Sequence, residues 1–457
     1  MLNTASLSLD QAPPISIPFR FFLTAPLFGL AAAGMLLFSG ADLFLTRWSS
    51  LTLGFTHLLT LGMLAMVMCG ALLQMLPVIA GSPVPGVVAV GTASHLMITL
   101  GTGTLVVSFL SGSLLADSIA MLLMGGGIML FFVAVMVALW RVKSVSDTVI
   151  AIRLAMVSFL ITLSLGLLLA SGLLGRMGFG QIASLVDVHL GWGILGWVGL
   201  LLIGVSYQVV PMFQVTPEYP VRFRRLLAPA LFGGLVIWSL LVSGSLFGIV
   251  DAIVPKLWLF FPLLGFVAYA LMTIRLQQQR KRRISDVTLL FWRTGMLFVP
   301  LCALFWVMGS FTRTIGAGPQ FNLLLGIGLL FGVGLSVING MLYKIVPFLS
   351  WFHLQNRQMS LMCLSVKVPN MKEFIPDRSA RLQFYLFLSA LLMTLLAVLF
   401  PTWFARPAGL LFFLSNALLL KNLAVAVWRY RATNQALLAY ARRVPAPVDP
   451  VDRVQQR

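Results

Sequence analysis

The sequence predicts an all-α integral membrane protein whose twelve transmembrane helices form three pseudo-symmetric four-helix repeats. Of its 457 residues, 60% are hydrophobic and 9% charged, and the mean hydropathy is +1.00. Soluble domains hold roughly 45–50% apolar and about 25% charged residues. Apolar runs of the roughly 20 residues that a helix needs to cross about 30 Å of hydrocarbon recur along the whole chain. One Gly/Pro motif returns at a near-constant period. The short alternating segments of a membrane barrel are absent.

Apolar runs between polar breaks place spans near residues 20–44, 51–79, 87–110, 113–140, 152–174, 185–212, 226–249, 253–274, 288–312, 320–349, 382–404 and 406–430. Met1 to Pro18 carries Asp10 and no basic cluster ahead of an apolar core, so the first run reads as a retained helix rather than a cleaved signal peptide. Alternate loops are basic. They hold Arg141, Lys143 and Arg153; Arg222, Arg224 and Arg225; Arg275, Arg280, Lys281, Arg282 and Arg283; and Arg357, Lys367, Lys372, Arg378 and Arg381. The opposite loops hold only Arg47, Arg176, Lys256, Arg313 and Arg406. The positive-inside rule then puts both termini in the cytoplasm of a bacterial-type inner membrane, which requires an even number of spans.

The recurring motif is Gly70-x3-Gln74-x2-Pro77, Gly204-x3-Gln208-x2-Pro211 and Gly340-x3-Lys344-x2-Pro347 (204 − 70 = 134; 340 − 204 = 136). Each interval fits four spans with their loops, and a fixed internal period is the signature of repeats. The chain divides into a cytoplasmic N-terminus (1–19), repeats at 20–150, 151–286 and 287–430, and a disordered cytoplasmic tail (431–457). Parallel repeats of four spans imply a pseudo-threefold axis along the membrane normal.

Three of the four histidines, His57, His95 and His189, fall inside apolar spans, where ionisable residues are expensive and signal function. His57 and His189 stand 20 and 22 residues before the repeated proline (77 − 57 = 20; 211 − 189 = 22). At about 1.5 Å per residue they differ in depth by about 3 Å. Two neutral imidazoles facing each other across a gap are what bis-histidine haem ligation requires. The competing reading is interhelical hydrogen bonding, with Thr56 or Asp187 as partners. His95 enters from the other side of the membrane and lies too deep to share the same iron. It is expected to bond a neighbouring helix, with ligation of a second metal or a bond to a haem propionate as the alternatives. His353, in Trp351-Phe352-His353-Leu354-Gln355, reads as interfacial.

The sixth span, with Val188-His189-Leu190-Gly191, then Gly196-Trp197-Val198 and Gly204-x2-Tyr207-x3-Pro211, resembles the haem-ligand helix of the catalytic subunit of C-type haem-copper oxidases. That helix reads His-Val-His-x-Gly, Gly-Trp-Val and Gly-x2-Tyr-x3-Pro. The second span, with His57, Gly70-Ala71 and Pro77, is similar to the low-spin haem helix of that subunit and of the nitric oxide reductase large subunit. Both families have twelve core helices in three four-helix arcs. The resemblance implies a low-spin haem b held by His57 and His189, in a protein of the haem-copper oxidase subunit I-like superfamily. A looser similarity is to the NnrS-type family of membrane haem and copper proteins. Departures limit what carries over: Asp187 stands where the oxidase pattern has the high-spin haem ligand, the tenth span has no histidine, and no His-His or His-Pro-Glu segment supplies copper ligands. Oxygen reduction is therefore not expected. Electron transfer, haem handling or a role in nitrosative or respiratory stress is, with a redox partner or respiratory-complex subunit. Second-shell acceptors such as Asp187 would tune the imidazoles.

The net charge of +19 lies in short loops between spans, so topology explains it better than nucleic-acid binding. Cys69, Cys302 and Cys363 share no metal-ligand or disulfide spacing and read as packing residues. Met63, Met66 and Met68 raise copper conduction, which no continuing ladder of soft ligands supports. Lys344 reads as a solvated anchor. Gly193, Gly196, Gly199, Gly328 and Gly332 read as sites of close helix approach. Leu354 to Arg381 reads as a long basic loop lying on anionic lipid. The rival to the haem protein is a permease that passes a small solute or metal through the centre of the repeats.

Overall fold

The computed structural model describes residues 13–172, 178–281, 286–312, 316, 318–363 and 365–443. Arg176, Arg282, Arg283 and Arg313 of the topology reading, and Met1 to Ala12, lie outside the described residues. Twelve helices are long and apolar enough to cross a membrane: α1 (Ser16–Phe44), α2 (Ser50–Val78), α3 (Val87–Ser111), α4 (Leu114–Trp140), α5 (Asp147–Ala170), α6 (Phe179–Gln214), α7 (Val221–Leu246), α8 (Ile253–Gln278), α9 (Val287–Phe311), α10 (Pro319–Ser360), α11 (Asp377–Leu399) and α12 (Pro401–Arg442). No strand occurs among the described residues. In hydrocarbon every backbone polar group must be satisfied within the segment, and helices do so.

Local chemistry sets the helix ends. Gly112 (φ +65) closes α3 by giving its N–H to the Ser108 carbonyl at 2.8 Å, a backbone conformation glycine adopts freely. Ser113 follows at once and caps α4, its hydroxyl accepting from Ala116 N–H. The result is a tight helical hairpin. Ser49, Ser146 and Asp286 cap α2, α5 and α9 in the same way.

The last two spans differ from the sequence reading. The break expected between residues 404 and 406 falls at Phe400, because Pro401 suits the first position of a helix and no interior one. α12 then continues past Arg431 to Arg442 where a disordered tail was expected; residues 444–457 lie outside the described ones. The stretch read as a loop from Leu354 to Arg381 begins with the end of α10 and contains a short helix, Met371–Phe374, opened by an Asn370/Glu373 capping box. Arg357 donates to Asn434 of α12 at 2.5 Å, and Arg429 to the carbonyl of Glu373, so this segment and the α12 extension brace each other.

Neighbouring spans pack in chain order, and α12 returns to pack against α1, so the twelve helices close into a ring. α2, α6 and α10 each change winding midway, at Leu58–Ala65, Trp192–Gly199 and Gly328–Leu335, into a π-helical turn. The three starts, 58, 192 and 328, keep the intervals of the Gly/Pro motif. Glycines at matching places press each helix on the preceding span. A Cβ on Gly62 would lie 2.4 Å from Phe28, on Gly196 2.9 Å from Ser158, and on Gly332 2.3 Å from Phe298. The motif glycines do the same one level further along: Gly70 against Phe21, Gly204 against Ala151 and Gly340 against Phe291. α2 and α10 also touch each other through their π turns.

Lys344 departs from the expected solvated anchor. Its ammonium pairs with Asp286 at 3.0 Å and lies 6.0 Å from the Phe213 ring, tying α10 to the start of α9 and the end of α6. The three cysteines are free and buried, as packing residues should be.

Candidate functional site

Ser49 starts α2, and eight residues later His57 stands immediately before the π turn. Single π turns inside α-helices are frequent at functional sites. His57 Nδ1 lies 2.8 Å from the Leu53 carbonyl, one turn back on the same helix. A carbonyl only accepts, so Nδ1 carries the proton and the Nε2 lone pair is left for another partner. The ring packs against Phe109 of α3 at 5.2 Å.

His189 lies three residues before the π turn of α6. Its Nδ1 donates to the Thr162 carbonyl of α5 at 3.0 Å, so its Nε2 is free in the same sense. Gly166 allows that approach, because a Cβ there would stand 3.1 Å from His189 Cε1. Both rings are half-buried.

Asp187 is not an acceptor for either imidazole, contrary to the second-shell expectation. Its carboxylate pairs with Arg47 at 2.7 Å, because backbone carbonyls already take both ring protons. Nor does Thr56 bond His57. The Arg47 guanidinium also lies 4.5 Å over the Trp48 ring, and Trp48 meets Phe179 edge-on at 5.2 Å. The turn between α1 and α2 is thereby fastened to the start of α6, at the end of the bundle nearest the two histidines.

His95 is elsewhere. Its Nε2 shares a hydrogen bond with the Thr24 hydroxyl of α1 at 2.9 Å, and the Phe21 ring lies edge-on at 5.0 Å. Next to it, Arg20 donates to Thr92 at 2.9 Å, a second rung between α1 and α3. The helix-to-helix hydrogen bond favoured from sequence is the contact seen; the ring is not gathered with His57 and His189. His353 lies on the last turns of α10, its Nε2 buried without a hydrogen-bond partner.

Two features of the site were missed in the sequence. The acceptors that orient the rings are main-chain carbonyls, which every residue possesses, so no residue type announces them. Gly166 was hidden among many glycines, and only its place one turn past Thr162 on the same helix face ties it to His189.

Among the described residues no three His, Cys, Asp or Glu side chains gather as metal ligands. A structural divalent cation takes four or more protein donors, whereas haem iron brings four nitrogens and asks the protein for one or two. Searches against family models and against curated proteins match nothing to this chain.

Proposed function

We propose that the protein is a multi-pass membrane haem protein of haem-copper-oxidase-like architecture, with His57 and His189 as the two axial ligands. The observation that carries this reading is the shared tautomer of the rings. Each gives Nδ1–H to a backbone carbonyl and keeps Nε2 free. A carbonyl acceptor fixes the tautomer and raises the basicity of the ligating nitrogen. Bound there, haem b would supply one-electron redox chemistry. Leu53 and Thr162 would hold the rings in place, and Gly166 would keep α5 clear of one of them. Electron transfer or haem handling fits this donor set, and a redox partner in the membrane would follow.

The same proposal includes three four-helix repeats about an axis along the membrane normal, both termini cytoplasmic, and a bacterial-type inner membrane. The matched π turns and two matched sets of glycines support the repeats, and the basic loops support the orientation. Copper has weaker support, since no third ligand joins the histidines.

The test is the visible spectrum of the purified, reduced protein from haem-replete cells. Sharp bands lost in both His57→Ala and His189→Ala are expected. A colourless preparation would overturn the haem reading in favour of a permease using the space inside the ring.

A further inference from the structure

A second buried polar group lies toward the basic ends of α6 and α8, far along α6 from the histidines. Ser206, Tyr207, Tyr219, Tyr269, Thr273 and Gln277 are all buried, from 0% to 3% exposed. The Tyr219 ring meets those of Tyr207 at 5.3 Å and Tyr269 at 6.4 Å. Hydroxyl protons can be traced. Thr273 gives its proton to the Tyr269 carbonyl at 2.8 Å, so in the 2.9 Å contact between Tyr219 and Thr273 the tyrosine is the donor. Ser206 gives its proton to the Ile203 carbonyl at 2.7 Å.

The remaining polar atoms have no protein partner in hydrogen-bond geometry. The Tyr207 hydroxyl, both amide atoms of Gln277 and Gln214 Oε1 near the end of α6 are enclosed without a hydrogen bond, and the Tyr269 hydroxyl, close to Ser206, Thr273 and Tyr219, meets none of them in good hydrogen-bond geometry. Each buried donor or acceptor left unmade costs about 1–3 kcal/mol. Five in one region would be a large penalty for a fold of ordinary stability. Buried water typically binds such groups, and it requires two to four polar partners at a polar site. Gln277 sits one turn from Thr273 on the same face of α8 and offers both a donor and an acceptor. The group adjoins a charged rim: Glu218 precedes Tyr219 in the chain, and Arg224 pairs with Glu218 at 3.2 Å and with Asp147 at 3.8 Å at a partly exposed position.

We propose that Tyr207, Tyr219, Tyr269, Thr273 and Gln277 form an internal water-binding site, supplied from the Asp147–Arg224–Glu218 rim. Water bridges the orphan hydroxyls to the glutamine amide and so carries solvent into one half of the bundle. The site is independent of the histidines and of any haem.

Pulsed hydroxyl-radical labelling of the full-length protein in lipid nanodiscs, read residue by residue by mass spectrometry, tests this. Tyr343 is the internal control, since it is also buried and its hydroxyl already accepts a hydrogen bond from Asn422 Nδ2 at 3.0 Å. Tyr207 and Tyr269 are expected to label several-fold faster than Tyr343; labelling at the Tyr343 rate would overturn the proposal. Tyr269→Phe gives a second readout. A hydrated network loses a member and the melting temperature falls, whereas in a dry cluster the change removes an unmet donor and leaves stability equal or higher.

Discussion

The Arg47 guanidinium, in the turn before α2, reaches across to the Asp187 carboxylate of α6 at 2.7 Å, two residues from His189. One N–H is used and Nε is enclosed without a partner. The pair is partly exposed, with side chains 21% and 51% accessible, so it contributes about 0–1 kcal/mol to stability. Arg47→Gln should therefore melt close to the wild type. Its larger effect is electrostatic. A fixed positive charge near a haem iron favours the reduced state, and a carboxylate the oxidised one. Redox titration of the visible bands should show a lower midpoint potential in Arg47→Gln and a higher one in Asp187→Asn. Equal potentials in all three proteins would place the pair too far from the cofactor to matter.

Gly166 and His189 test the ring orientation without touching a ligand. A branched side chain at 166 must displace the imidazole, whose Cε1 would stand 3.1 Å from the new Cβ. Gly166→Val is expected to weaken or abolish the bis-histidine spectrum while the protein still inserts. Gly326→Ala is the control, because nothing lies within 4 Å of a Cβ there. A wild-type spectrum from Gly166→Val would show that His189 is not held as described.

The spans were legible because lipid imposes one requirement, a long apolar helix, and composition records it directly. The ends of α11 and α12 were harder to place. Arg406 looked like a boundary, yet a single arginine can remain inside a helix, while Pro401 resets the chain at Phe400. The Gly/Pro motif flagged matching depths on α2, α6 and α10, but not the π turns beside it, since no residue type encodes an i to i+5 bond. At the site, the histidines stood out as costly groups in lipid, and their carbonyl partners could not. Lys344 was misjudged because its partner, Asp286, is distant in sequence and lies at the start of another span.

Asp286 serves two purposes, and its removal should cost more than loss of Lys344. One carboxylate oxygen caps α9 by accepting from Leu289 N–H at 3.1 Å; the other meets Lys344 at 3.0 Å. Loss of an N-cap costs about 0.5–2 kcal/mol, and the partly buried ion pair adds to it. Thermal unfolding in detergent should rank Asp286→Ala below Lys344→Gln, which keeps the cap, and both below wild type. If the two variants melt together, the cap contributes nothing measurable.

The glycines within the π turns of α2 and α10 make the sharpest packing prediction. A Cβ at Gly62 would lie 2.4 Å from Phe28, and at Gly332 2.3 Å from Phe298, far inside contact distance. Overpacking of this kind costs typically about 1–3 kcal/mol. Gly62→Ala and Gly332→Ala should each lower the melting temperature, although alanine is the better helix former. Gly34→Ala, with open space around the new Cβ, should be neutral or stabilising. Removing the facing ring separates steric conflict from loss of backbone freedom. Because the crowding atoms include Cγ and Cδ1, Phe28→Ala should partly rescue Gly62→Ala and leave Gly332→Ala unimproved, whereas Phe298→Ala should do the reverse. Rescue of both by either change would mean that the two contacts are not independent, and the local packing account would fail.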